Sequence, residues 1–79
     1  MYNPSHLDEN LQYQSRFEYS SGLVVYAGYA PPTAAEGDSA WLIKKFSYDS
    51  SENVVKVAFA NDSNSFNLSW NNRALYSYK

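Results

Sequence analysis

The chain has 79 residues, eight acidic against six basic side chains, one histidine and a net charge of −2. That length makes one domain that buries only about 60% of the surface it exposes when unfolded. With no cysteine and no Cys/His cluster it lacks the disulfide and metal staples of many small domains, so oligomerisation or docking on a larger body is expected to supply the missing stability. No run of like charges interrupts the sequence, which argues against a nucleic-acid backbone as partner. No apolar stretch approaches the roughly twenty residues of a bilayer span, so no membrane partner is expected either.

Residues 1–10 are polar and read as an N-terminal arm, with Ser5-His6-Leu7-Asp8 spaced for a capping box and a single helical turn. The start Met-Tyr-Asn-Pro-Ser-His has neither the basic nor the apolar region of a signal peptide, so synthesis in the cytoplasm is expected. From Leu11 the pattern changes to period two: Leu11, Tyr13, Phe17 and Tyr19 are apolar while Gln12, Gln14, Arg16 and Glu18 are polar, the pattern of a half-buried strand. Ser20-Ser21-Gly22 supplies a turn, with Gly22 free to take positive φ, and the chain returns from Leu23 to Ala30. Pro31-Pro32 ends the pairing because proline donates nothing to a ladder. Residues 31–40 are a connecting loop.

A second strand pair runs from Trp41 to Tyr48 and Val54 to Ala60 around an Asp49–Asn53 turn, and Phe66, Leu68 and Trp70 then alternate strictly. Asn71-Asn72 turns the chain before Ala74 to Tyr78. Five or six strands with short, regular turns predict an all-β fold, a small antiparallel sandwich or barrel of two related hairpins plus C-terminal strands. Residues 11–79 are read as its single domain.

Within it, residues 16–30 and 45–60 repeat each other. Arg-Phe-Glu-Tyr-Ser-Ser and Lys-Phe-Ser-Tyr-Asp-Ser are each followed by a turn and a valine-led strand, the second copy having one extra turn residue. Superposing the copies puts Val25, Ala27 and Tyr29 on Val55, Val57 and Phe59, an apolar face in both and the expected core. Tyr26 with Lys56 and Gly28 with Ala58 make the opposite face, expected to meet solvent or a partner. The copies disagree where Gln12 and Gln14 fall on Trp41 and Ile43. Either the second hairpin is covered on both faces by the C-terminal strands, or Trp41 and Ile43 mark a contact site.

Chemistry-bearing constellations are weak. His6 with Asp8 and Glu9 is a lone imidazole beside carboxylates in the arm. The stretch from Asp62 imitates a calcium loop but places Asn67 and Arg73 where glycine and the bidentate glutamate belong. The serines sit in turns without a second histidine, and Glu18, Glu36, Asp38, Asp49 and Glu52 form no evident acid–base pair. No enzymatic activity, no cofactor and no metal are expected. Eight Tyr, four Phe and two Trp favour contact surfaces instead. Trp41 and Trp70 with Asn-rich turns also suit a carbohydrate, although core packing explains the two rings without a ligand.

The segments Trp41-Leu42-Ile43-Lys44-Lys45-Phe46-Ser47-Tyr48-Asp49, Ala58-Phe59-Ala60-Asn61, Phe66-Asn67-Leu68-Ser69-Trp70-Asn71-Asn72-Arg73 and Tyr76-Ser77-Tyr78 resemble a group of small proteins encoded by tailed bacteriophages. In that group a Trp-x-Ile-x-Lys strand, a Tyr-Asp turn and a Trp-(Asp/Asn)-(Asp/Asn)-Arg-Ala turn recur near a tyrosine-ending C-terminus. The likeness spans about residues 12 to 78 and implies a structural role in the virion, as capsid decoration or as a tail or neck adaptor. Its partners would be other phage structural proteins and copies of itself. The rival reading is a soluble binding module, a carbohydrate binder or an inhibitor of a host protein. Candidate partner contacts are Tyr26, Trp41, Ile43, Lys56, Trp70, Arg73, Tyr76 and Tyr78.

Overall fold

The computed structural model describes residues 13–79. The arm of residues 1–10, its capping-box turn, the expected strand start at Leu11 and the group His6, Asp8 and Glu9 lie outside the described residues. Four strands, β1 (Gln14–Ser20), β2 (Leu23–Ala30), β3 (Leu42–Tyr48) and β4 (Val54–Phe59), form one antiparallel sheet in the order β1-β2-β3-β4. The fold is all-β, as the alternation predicts.

The two C-terminal strands are a correction. The Phe66–Trp70 alternation yields a single bridge, Leu68 to Trp41, and Trp70–Leu75 is a 3-10 helix. Trp41 and Leu68 exchange main-chain hydrogen bonds of 2.8 and 3.1 Å, and the chain then turns as Asn72 N donates to Ser69 O and Asn71 N to Glu36 O. An Asn-Asn pair favours such local turns over a ladder. The second layer of the domain is therefore connector and 3-10 turns, and among the described residues no second sheet closes a sandwich or barrel.

The repeat is legible in three dimensions. In the first hairpin the register shifts between Glu18 and Tyr19, leaving Val25 as the extra residue. In the second it shifts between Ser47 and Tyr48, leaving Val55. These positions coincide in the sequence superposition, so both copies carry the same β-bulge, a local kink that increases strand twist. The turns differ. Ser21 and Gly22 have φ of 53° and 82°, the geometry of a type I′ hairpin. In the longer turn the Asp49 carboxylate accepts hydrogen bonds from the backbone N–H groups of Asn53 and Ser51, both at 2.9 Å. The Asn53 bond above all holds that carboxyl below its ordinary pKa. Glu52 in this turn has φ of 65°, a left-handed conformation that costs a side-chain-bearing residue about 1 kcal/mol or more. Glu52→Gly is therefore expected to raise stability by about 0.5–1 kcal/mol, measured as a higher urea midpoint at unchanged m-value.

The face assignment is inverted. Cross-strand partners share a face, and Phe17, Ala27, Lys44 and Phe59 form one row across the sheet, with Ser15, Tyr29 and Leu42 in another. This is the face the repeat predicts as core, yet Phe17 is 49% exposed, Val57 43% and Val55 62%. Only Ala27 on it is fully buried. The core lies on the other side, where Trp41, Ile43, Ala30, Ala60 and Trp70 pack together with Tyr26, Leu68, Tyr76 and Tyr78 partly buried against them. The reason is space. Gly28, Ala30, Ala58 and Ala60 leave a flat floor on which two indoles lie 5.9 Å apart and tilted at 34°. A Cβ at Gly28 would stand 2.5 Å from the Trp70 ring and 3.2 Å from the Trp41 ring.

The connector seals this layer. The Gln14 side-chain amide nitrogen lies 2.9, 3.2 and 2.7 Å from the carbonyl oxygens of Pro31, Pro32 and Ala34. Trp41 Nε1 donates to Ala35 O at 3.0 Å, and Ser69 Oγ to Glu36 O at 3.3 Å. The Gln14/Ile43 disagreement between the repeats thus marks a division of labour, one copy gripping the loop and the other filling the core.

Candidate functional site

The expected contact residues divide into those the chain uses on itself and those left outside. Trp41 and Ile43 are fully buried and Trp70 is 4% exposed, so none of the three is available to a partner. Of the two alternatives the sequence leaves for Trp41 and Ile43, internal cover is the one realised, by the C-terminal segment on one face only. Arg73 lies over Trp70 with its guanidinium carbon 4.5 Å from the ring centroid. Its Nε donates to Glu18 Oε1 at 2.7 Å and its Nη1 to Trp70 O at 3.0 Å.

Tyr76 Oη accepts from Ser69 N at 2.8 Å and donates to Ser69 O at 3.2 Å, and Tyr78 Oη donates to Arg73 O at 2.7 Å. Tyr26 and Tyr78 have ring centroids 5.6 Å apart, with the Lys45 ammonium 5.9 and 5.7 Å from them. Trp70, Arg73, Tyr76 and Tyr78 are thus brought together as a lid over the small-residue floor beside Tyr26 of β2, with the polar groups of Arg73, Tyr76 and Tyr78 hydrogen-bonded inside the chain. Lys56 stands apart from them, exposed on the edge strand.

Burial first, and then the neighbouring Tyr26 and Tyr76, push the Tyr78 phenol above its ordinary pKa. The folded state therefore favours the neutral phenol. Its contribution to stability is complete below a free tyrosine's pKa of about 10 and is lost as pH rises past that value. Thermal melts at rising alkaline pH are expected to show a falling Tm, and Tyr78→Phe is expected to flatten that fall.

The surface that the repeat misassigns is the larger find. Phe17, Tyr19, Val55 and Val57 are exposed, and Val25, Tyr29, Leu42, Phe46 and Phe59 are only partly covered. Bulky apolar groups from all four strands thus share one largely open face, flanked by the Tyr13–Phe66 ring stack at 5.0 Å and, along β4, by Asp62, Asn64 and Lys79. Exposed apolar groups this contiguous mark contact sites in soluble proteins. One charge sits among them: Lys44, whose ammonium is 5.5 Å from the Tyr29 ring centroid and 5.4 Å from that of Phe59.

The sequence signal for this surface was available in Gly28, Ala30, Ala58 and Ala60, which alternate on one side and predict a floor for rings instead of a wet face. A shallow groove of about 450 Å³ borders β4, lined by Val57, Ala58, Phe59, Asp62, Asn64 and Lys79, with Lys79 Nζ 3.2 Å from Asp62 Oδ2. Among the described residues no three His, Cys, Asp or Glu side chains converge, and no helix is long and apolar enough to cross a membrane. The chain matches no protein-family model, no curated protein and no solved structure.

Proposed function

We propose that the chain is a non-enzymatic structural component of a bacteriophage virion, a capsid decoration or a tail or neck adaptor, that works by laying the open face of its sheet against a neighbouring protein. The observation that carries the docking part is the uncovered apolar face of Phe17, Tyr19, Tyr29, Val55, Val57 and Phe59. A domain of this size gains from having such a face covered, since burial contributes about 25 cal/mol per Å² of apolar surface. On the opposite layer the Trp41 indole, Arg73, Tyr76 and Tyr78 hydrogen-bond to the chain's own backbone, which favours the open face as the docking surface. The virion as the setting rests on the motif resemblance.

The carbohydrate alternative loses its platform, because the Trp41 and Trp70 rings on which a sugar would stack are enclosed. The test is mass spectrometry of purified virions produced from the genome that encodes the chain. The chain is expected among their proteins, and a Val55→Asp/Val57→Asp variant, which keeps its fold because both positions are exposed, is expected to be missing from them. Virions without the wild-type chain would overturn the reading.

A further inference from the structure

Lys44 and Lys45 are consecutive residues on opposite faces of β3, and each ammonium lies within 6 Å of two aromatic rings. Lys45 is roofed by the chain's own Tyr78, whereas Lys44 has no roof among the described residues. Its strand neighbours on that face are Leu42 and Phe46, and its cross-strand partners are Ala27 and Phe59. The ion pairs among the described residues are Arg16–Glu36, Arg73–Glu18 and Lys79–Asp62; Lys44 is in none of them. It is a single cation at the centre of an apolar surface.

We infer that the occupant of this face is another protein whose apolar surface carries a carboxylate that meets the Lys44 ammonium between Tyr29 and Phe59. The inference rests on the docking reading above and names the partner's chemistry. A neutral apolar cover would strand a buried ammonium without a counter-charge, which is strongly unfavourable. A carboxylate turns the same burial into a charge-assisted hydrogen bond held against two ring faces. A second copy of the chain fits less well. Lys44 lies on a central strand, so a symmetric face-to-face stack at about 10 Å would bring two ammonium groups together under cover. One inward charge on an open face is also a device against such self-association.

The experiment uses the full chain, isotopically labelled, and two blocked heptapeptides of alternating leucine and serine that differ only in a central glutamate or glutamine. In NMR titrations the glutamate peptide is expected to shift Phe17, Tyr29, Lys44 and Phe59 and to bind about ten-fold more tightly than its glutamine twin, the weight of one charge-assisted contact. Lys44→Gln is expected to erase that preference and Lys44→Arg to keep it, both with unchanged circular dichroism. Equal binding of the twins to this face overturns the carboxylate and leaves docking standing, while binding of neither overturns both. A dimer formed through this face in ultracentrifugation overturns the inference in favour of a second copy. Binding that appears only in an Asp8→Asn/Glu9→Gln variant overturns it in favour of the chain's own first twelve residues.

Discussion

Trp41→Ala is expected to leave the chain largely unfolded at room temperature. The ring is fully buried, packs at a tilt against Trp70 and donates to Ala35 O, so truncation removes core volume, an aromatic pair and the hydrogen bond that holds the connector down. Large aromatic-to-alanine changes in cores cost about 3–5 kcal/mol. A domain of this length has a total stability of roughly 4–12 kcal/mol, so the loss takes much or all of it. Urea denaturation followed by far-ultraviolet circular dichroism measures the effect. Trp41→Phe, which keeps most of the volume and loses the donor, should fold with an intermediate midpoint. A wild-type midpoint for Trp41→Ala would show that the indole is not the centre of the core.

Gly28→Ala is expected to be the most damaging single-methyl change in the protein. Its Cβ would stand 2.5 and 2.7 Å from two atoms of the Trp70 ring, closer than real contacts allow, and a tight 3.2 Å from Trp41. The rings have little room to retreat, because Arg73 covers Trp70 from outside and the connector fixes Trp41. Overpacking of this kind costs about 1–3 kcal/mol and sometimes more. The readout is a lowered Tm together with red-shifted tryptophan emission as the indoles are pushed towards water. The corresponding residue of the second repeat, Ala58, lies on the same face and already carries the methyl group that the Trp70 ring excludes at Gly28. The equivalence of the two copies therefore fails at this point, and Ala58→Gly should cost far less than Gly28→Ala.

How much of this was legible depended on the range over which each residue acts. Both hairpins, the Gly22 turn and the two-copy relation are local matters of alternation and turn chemistry, and all follow from neighbours in sequence. The shared bulge at Val25 and Val55 extends the repeat into geometry without being readable beforehand, since a register shift leaves the residue pattern unchanged. The choice of face was misread because hydrophobic bulk was equated with core. Val55, Val57 and Phe59 are the larger residues, yet the indoles of Trp41 and Trp70 arrive from outside the strands and need a floor of glycine and alanine.

That arrival is a long-range event: Trp70 comes from a turn that alternation reads as a strand, and Leu68 pairs only with Trp41. The same long-range packing encloses Trp41, Ile43 and Trp70 of the candidate contacts, while Arg73, Tyr76 and Tyr78 pack on their own sheet and stay partly exposed. Lys44 is hard to single out from sequence because strand alternation places it within the apolar row, where a lone lysine reads as an interruption and not as a centre.

The lid of Trp70, Tyr76 and Tyr78 also sets a timetable. Synthesis runs from the N-terminus, and both hairpins are complete by Phe59, but until the later residues follow, the core side is closed, among the described residues, only by the connector of residues 31–40. Pairings such as Glu18 with Arg73, 55 positions apart, make the last step a non-local one and therefore a slow one. During that interval the growing chain lacks the lid that encloses its indoles, leaves apolar surface on both sides of the sheet open, and is then most exposed to capture by the wrong neighbour.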